Sequence, residues 1–328
     1  MSRSMMPRLA AVLACVLGLW LVALPSAGAD PVDGVSPVVV PTGAGPEQFG
    51  PGDAIRYAEA HPDIAPPGAN DFGCRPSPGT LPVVLAHGTD TAAYTDWAGL
   101  SPRLKRAGYC VFAPNYGGRP GADHYGTEAI STSAVQFRDF VDRVRAATGA
   151  AEVDVVGFSQ GATMSRYYVN KLGGADAVRR WVGLASPTYG GVMYGLVPLV
   201  RAIPGGVDAV QDFTSLAVVE QMANSDFLAG LNAGSDTVPG VQYTTIGSRY
   251  DEMIQPNSNI ALRGPGAVNI IVQDLCPIDM SGHFNMVYDQ FAQQLVLNAL
   301  DPTRAVVPEC RFVALGTGIP DVVLAANF

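Results

Sequence analysis

Ser159 stands between two glycines in Gly157-Phe158-Ser159-Gln160-Gly161. A serine hydroxyl is a weak nucleophile until a base takes its proton, and an ester carbonyl resists water at neutral pH. Acyl transfer through such a serine needs a base, a group that orients the base, and donors for the oxyanion. Four histidines are present, His61, His87, His124 and His283. The chain order serine, acid, histidine leaves only His283 after Ser159, so His283 is the expected base. Activity should then fall in acid with a pKa of roughly 6–7. The orienting acid should lie between the two, just past a strand, and Asp251 in Gly247-Ser248-Arg249-Tyr250-Asp251-Glu252 fits. Glu252, Asp274 and Asp279 are rivals; Asp274 ends the following strand, too close to His283 for the usual order. The oxyanion donors should be the backbone N–H of Gln160, which follows the nucleophile, and that of Thr89 in His87-Gly88-Thr89. The Thr89 hydroxyl is a candidate third donor, and His87 reads as a loop-shaping residue.

These parts need elements to hold them. Residues 153–157 read as a strand and 162–172 as a helix ended by Gly173-Gly174, which makes Ser159 a strand-to-helix turn. Gly157 and Gly161 leave room for strand and helix to approach. The helix N-terminus brings partial positive charge to the reacting carbonyl. Short apolar runs at 81–86, 109–113, 181–185, 241–246 and 268–272 read as further buried parallel strands. Residues 133–148 read as a helix, with Phe137, Val141 and Val144 at helical spacing and Gly149 as its stop. Phe284, Val287, Phe291 and Leu295 line one face of a last helix, closed by Asp301-Pro302. The alternation predicts an α/β class chain, a mostly parallel sheet with helices on both faces. The stretch 189–240 separates two strands by about 50 residues, more than an ordinary connection. Its apolar helical segments at 196–203 and 213–228 read as a cap-like insertion that shapes an acyl pocket, with ordinary packing helices as the alternative.

Arg3 and Arg8, an uncharged apolar run from Leu9 to Leu24, and Pro25-Ser26-Ala27-Gly28-Ala29 describe a secretory signal peptide over 1–29. The run is shorter than the ~20 residues a membrane span needs, so no stable transmembrane anchor is expected. Residues 30–52 read as a Pro/Gly-rich, mobile lead-in and 53–328 as the main domain. The formal charge is −9, and cleavage removes two arginines and no acid, giving −9 − 2 = −11. Such a surface does not attract nucleic acid phosphates. Cys74, Cys110, Cys276 and Cys310 remain in an oxidising compartment, which suggests two disulfides. Of three pairings, Cys74–Cys110 and Cys276–Cys310 are favoured because they join sequence neighbours. No C-x-x-C spacing marks a zinc site.

With these residues in place, the chain resembles the secreted lipases of actinobacteria and the related lipase B of Candida antarctica, from about Asp71 to Cys310. The resemblance rests on Leu85-Ala86-His87-Gly88-Thr89, the serine motif, Asp251-Glu252-Met253-Ile254-Gln255-Pro256 and the cysteine spacing. It implies an α/β-hydrolase fold, a Ser159–Asp251–His283 triad, oxyanion donors Thr89 and Gln160, the same two disulfides, and no cofactor or calcium. It also implies a secreted serine hydrolase acting on ester or lipid substrates, at a lipid–water interface among other settings. An acyltransferase, a polyester or cutin hydrolase, and a non-catalytic binding protein are the competing readings. The long insertion speaks against the open groove of a cutin hydrolase.

Overall fold

The computed structural model describes residues 35, 38–122 and 124–325; the expected signal peptide lies outside them. Strand β1 (Gly43–Ala44) pairs with β2 (Ile64–Ala65), and helix α1 (Pro51–Ala60) lies between them in sequence. The central sheet is built from β3 (Val83–Ala86), β4 (Val111–Phe112), β5 (Val153–Phe158), β6 (Val178–Leu184), β7 (Gln242–Gly247) and β8 (Val268–Ile271). They lie in the order β4-β3-β5-β6-β7-β8, and every neighbouring pair is parallel. Parallel neighbours require crossovers, and helices supply them. Helices α2 (Ala93–Trp97) and α3 (Leu100–Arg106) follow β3, α4 (Ile130–Thr148) follows β4, and α5 (Gln160–Lys171) follows β5. After β6 come α6 (Val197–Ala202), α7 (Gly206–Phe213), α8 (Leu216–Glu220) and α9 (Asp226–Asn232). After β8 come α10 (Val272–Leu275), α11 (Gln290–Leu300) and α12 (Ile319–Ala325).

Alternate residues of a strand face opposite sides of the sheet, and here both sides are apolar. Val83 and Leu85 of β3 join Trp97, Leu100, Phe291 and Leu295 in one buried cluster. Val84 and Ala86 join Phe137, Val141, Ala162 and Met164 in another. So α4 and α5 cover one face, and α2, α3 and α11 the other. This is the mostly parallel, doubly covered sheet of the α/β-hydrolase class.

Each predicted strand run contains a strand, but three local readings need correction. The last helix starts only at Gln290, because Asp289 adopts non-helical angles (φ −66°, ψ 124°) and accepts the Ala292 N–H. Phe284 and Val287 therefore precede the helix, although Val287 still joins the core that Phe291 and Leu295 enter. The predicted helix over 213–228 is two helices, α8 and α9, each opened by a serine whose hydroxyl oxygen accepts an N–H three residues on, Ser215 from Val218 and Ser225 from Leu228. Serine competes with the backbone for such bonds and favours helix starts over helix interiors. The described part of the lead-in is held down: Val39 bridges to Asn115, and the Tyr94 hydroxyl donates to Pro46 O at 2.8 Å.

Candidate active site

Ser159 lies at the turn between β5 and α5 with φ 52° and ψ −120°. A positive φ in a residue with a side chain costs on the order of 1–3 kcal/mol and persists only where its surroundings enforce it. Here the enforcement is close packing. A Cβ on Gly157 would lie 2.5 Å from Ala162 N, and one on Gly161 would lie 2.1 Å from Ala86 O. Only glycine lets the strand and the helix come this near. Ser159 N–H donates to Leu184 O at 2.9 Å, and Ser159 O accepts from Ala162 N–H at 3.1 Å.

The structure brings Ser159, Asp251 and His283 together. His283 Nε2 lies 3.1 Å from Ser159 Oγ, and His283 Nδ1 lies 2.9 Å from Asp251 Oδ2. The carboxylate can only accept, so Nδ1 carries a proton and Nε2 offers its lone pair to the serine. Asp251 is fixed in turn: its Oδ1 accepts the N–H groups of Met253 at 3.0 Å and Ile254 at 2.7 Å. Asp251 is fully buried and Ser159 is 8% exposed. Burial opposes the imidazolium form of His283, but the charge and hydrogen bond of Asp251, helped by Glu252 and Asp96, prevail and raise its pKa above the ordinary 6.5.

The rival acids do other work. Glu252 accepts the His283 N–H at 2.8 Å, so it holds the backbone of the histidine loop rather than the ring. Asp274 is exposed and paired with Arg249. Asp279 accepts the Ser281 N–H at 2.9 Å, a brace inside the same loop. His61 is exposed and stacks on Tyr57, away from the site.

Thr89 follows β3 and reaches the residue after Ser159, since Gln160 Nε2 donates to Thr89 Oγ1 at 3.1 Å. Among the described residues, no acceptor answers the backbone N–H of Thr89 or of Gln160. His87 is buried, stacks on Tyr116 with ring centroids 4.2 Å apart, and accepts the Tyr116 N–H at Nε2. Its Nδ1 faces Gly88 O at 2.9 Å, which fixes the neutral tautomer, and burial lowers its pKa to about 4. It shapes the loop as a neutral ring.

Two contributors escaped the sequence reading. Asp96 of α2 is buried and accepts the Gly88 N–H at 2.7 Å, one residue before Thr89. Burial raises its pKa to about 7 against the opposing pull of Gly88, His283 and Thr91. Its signal was a lone acid in the otherwise uncharged run from Thr91 to Pro102. Gln221 of the insertion also meets the site, its Nε2 donating to Thr89 Oγ1 at 3.0 Å.

Disulfides join Cys74 to Cys110 and Cys276 to Cys310, the two expected pairs. Beyond the second, Met280 N–H donates to Val313 O at 3.1 Å, so the tail is tied to the segment leading into His283. Among the described residues, no group of three or more His, Cys, Asp or Glu side chains could hold a metal ion, and no helix is long and apolar enough to cross a membrane.

The sequence model of the lipase (class 2) family matches residues 80–296. The chain belongs to the class 2 lipase family. The matched span of this class 2 lipase contains Thr89, Ser159, Gln160, Asp251 and His283. Its fold is similar to that of lipase B of Aspergillus fumigatus, with a TM-score of 0.59 and 21% identity over 80% of this chain and 63% of that one. It is also similar to a Bacillus licheniformis lipase in its mature form, with a TM-score of 0.52 and 14% identity over 69% of this chain and 94% of that one. The class 2 lipase thus spans less than two thirds of the Aspergillus lipase.

Proposed function

We propose that this class 2 lipase hydrolyses carboxylic ester bonds of lipids through an acyl-enzyme on Ser159. The observation that carries the reading is the continuous line from Asp251 Oδ2 through His283 to Ser159 Oγ, 2.9 and 3.1 Å, ending on a hydroxyl held at positive φ. His283 Nε2 takes the Ser159 proton as Oγ attacks the ester carbonyl. Asp251 holds the tautomer and stabilises the imidazolium that forms. The N–H groups of Thr89 and Gln160, with the Thr89 hydroxyl, receive the charge on the carbonyl oxygen. His283 then protonates the departing alcohol. A water, deprotonated by the same nitrogen, attacks the acyl-enzyme and releases the acid and Ser159.

The insertion over 189–240 is the cap of this reading. It exposes Leu199, Ile203 and Phe213, the last 73% exposed, which suits a substrate presented at a lipid–water interface. Secretion after removal of residues 1–29 is part of the same proposal, supported by the two disulfides.

Replacing Ser159 by Ala tests it. Turnover of p-nitrophenyl butyrate should drop by at least 10³-fold while the thermal midpoint stays within a few degrees. Retained turnover would overturn the nucleophile assignment. Release of free acid rather than a new ester, when a second alcohol is added, separates hydrolysis from acyl transfer.

A further inference from the structure

Thr89 Oγ1 is the meeting point of two side-chain amides. Gln160 Nε2 reaches it at 3.1 Å from the start of α5, and Gln221 Nε2 reaches it at 3.0 Å from the insertion. Each amide nitrogen also contacts a backbone carbonyl, Gly126 O at 2.7 Å for Gln160 and Ala217 O at 2.9 Å for Gln221. A carbonyl oxygen only accepts, so these contacts fix which end of each amide carries the protons. Both protons of each amide are thereby committed, one to a carbonyl and one to Thr89. The hydroxyl oxygen has two lone pairs, and both are filled. Its own proton must therefore point away from both glutamines, and no acceptor among the described residues takes it.

Gln221 is held as firmly as the group it contacts. It is 2% exposed. Its neighbour Glu220 accepts the Ile130 N–H at 2.6 Å, filling the start of α4, where the residue before the helix is Ala129 and caps nothing. The Ser225 hydroxyl donates to Glu220 O at 2.5 Å. The end of α8 is thus tied to the start of α4 through Glu220, next to the amide, and to Ser225 within the insertion.

We propose that Gln221 is a positioning residue that, together with Gln160, turns the Thr89 hydroxyl into an obligate donor toward the oxyanion, so that the docked insertion completes the oxyanion site. This rests on the Ser159 reading above. Without Gln221 one lone pair is freed, the hydroxyl regains alternative orientations, and the donor is present for only part of the time. The effect belongs to the transition state, where the oxygen carries charge, and not to ground-state binding.

The test is a double-mutant cycle. Gln221→Met keeps length and volume but removes the donor, and Thr89→Val removes the hydroxyl while keeping the backbone N–H. Steady-state kinetics on p-nitrophenyl butyrate should show kcat down about tenfold in Gln221→Met with KM within twofold, and a larger loss in Thr89→Val. The double variant should be no slower than Thr89→Val alone. Equal kcat in Gln221→Met and the native enzyme overturns the inference. So does a Gln221→Met loss that persists undiminished in the Thr89→Val background, which would make the role structural. Should Gln221→Met fail to fold, Gln221→Ala is read in the same cycle. A phosphonate that fails to label Ser159 in the native enzyme overturns the nucleophile itself, and this inference with it.

Discussion

Asp96 Oδ2 accepts the Gly88 N–H at 2.7 Å from a buried position, so a titratable carboxyl sets the backbone of the loop that presents Thr89. Its pKa of about 7 in the folded chain exceeds the ordinary 3.8, so the folded state holds this proton more tightly than the unfolded one. The resulting stabilisation is full below about pH 4 and is lost as pH rises towards 7. Asn at this position keeps an acceptor for Gly88 and cannot ionise. Asp96→Asn should therefore gain stability relative to the native enzyme at pH 8, on the order of 2–4 kcal/mol, compared with its difference at pH 4. Denaturant unfolding at the two pH values measures this, and a pH-independent difference between the proteins would contradict it.

On the proposed mechanism His283 must be neutral to act as the base. His283 has its pKa raised above the ordinary 6.5, so kcat/KM should fall as pH drops through a value higher than 6.5. Glu252 contributes to that elevation as well as holding the His283 N–H. Glu252→Gln keeps a backbone acceptor and removes the charge, so the acid limb should move to lower pH. A pH–rate series on both proteins checks the direction, and an unmoved limb would remove Glu252 from the electrostatics of the site.

Gly161 is set by space. An added methyl would lie 2.1 Å from Ala86 O, a backbone atom that cannot swing aside. Gly161→Ala should destabilise by about 3 kcal/mol or more by forcing α5 away from β3, and should cost activity through the displaced Ser159. Thermal melts and turnover measured on the same preparation test both parts. A stable, active variant would mean that the strand and helix can separate cheaply.

The Cys276–Cys310 bond closes a loop across 34 positions next to the histidine segment. Cross-linking at that separation removes about 3–4 kcal/mol of unfolded-state entropy. Cys276→Ser with Cys310→Ser should lower the thermal midpoint by several degrees. The Cys74–Cys110 pair should show a loss of similar size, since its separation is 36. Unchanged midpoints would mean that the loops are already constrained without the bonds.

The sheet was legible because its strands are short apolar runs between helices of clear period, as in Val83–Ala86 and Ile130–Thr148. The residues expected of the triad were legible because chemistry at Ser159 leaves one histidine downstream and an acid just past β7. Helix boundaries were less so: Asp289, Ser215 and Ser225 each end or open a helix through a side-chain bond that an apolar period does not register. Asp96, Glu252 and Gln221 were misread or missed for a related reason. Their partners are backbone and hydroxyl groups at separations from 8 positions, between Asp96 and Gly88, to 132, between Gln221 and Thr89, and apolar periodicity carries no trace of such contacts.

The tie between Met280 and Val313, with the Cys276–Cys310 bond beside it, bears on the time order of synthesis. A growing chain that has passed β6 already contains the Ser159 turn, the Thr89 loop and both glycines that let strand and helix press together. It still lacks the proposed base, His283, and the anchor of the His283 segment arrives with Cys310 and Val313. On the proposed mechanism the serine is made early and armed late, so a chain cut short or still emerging would hold Ser159 as an ordinary alcohol.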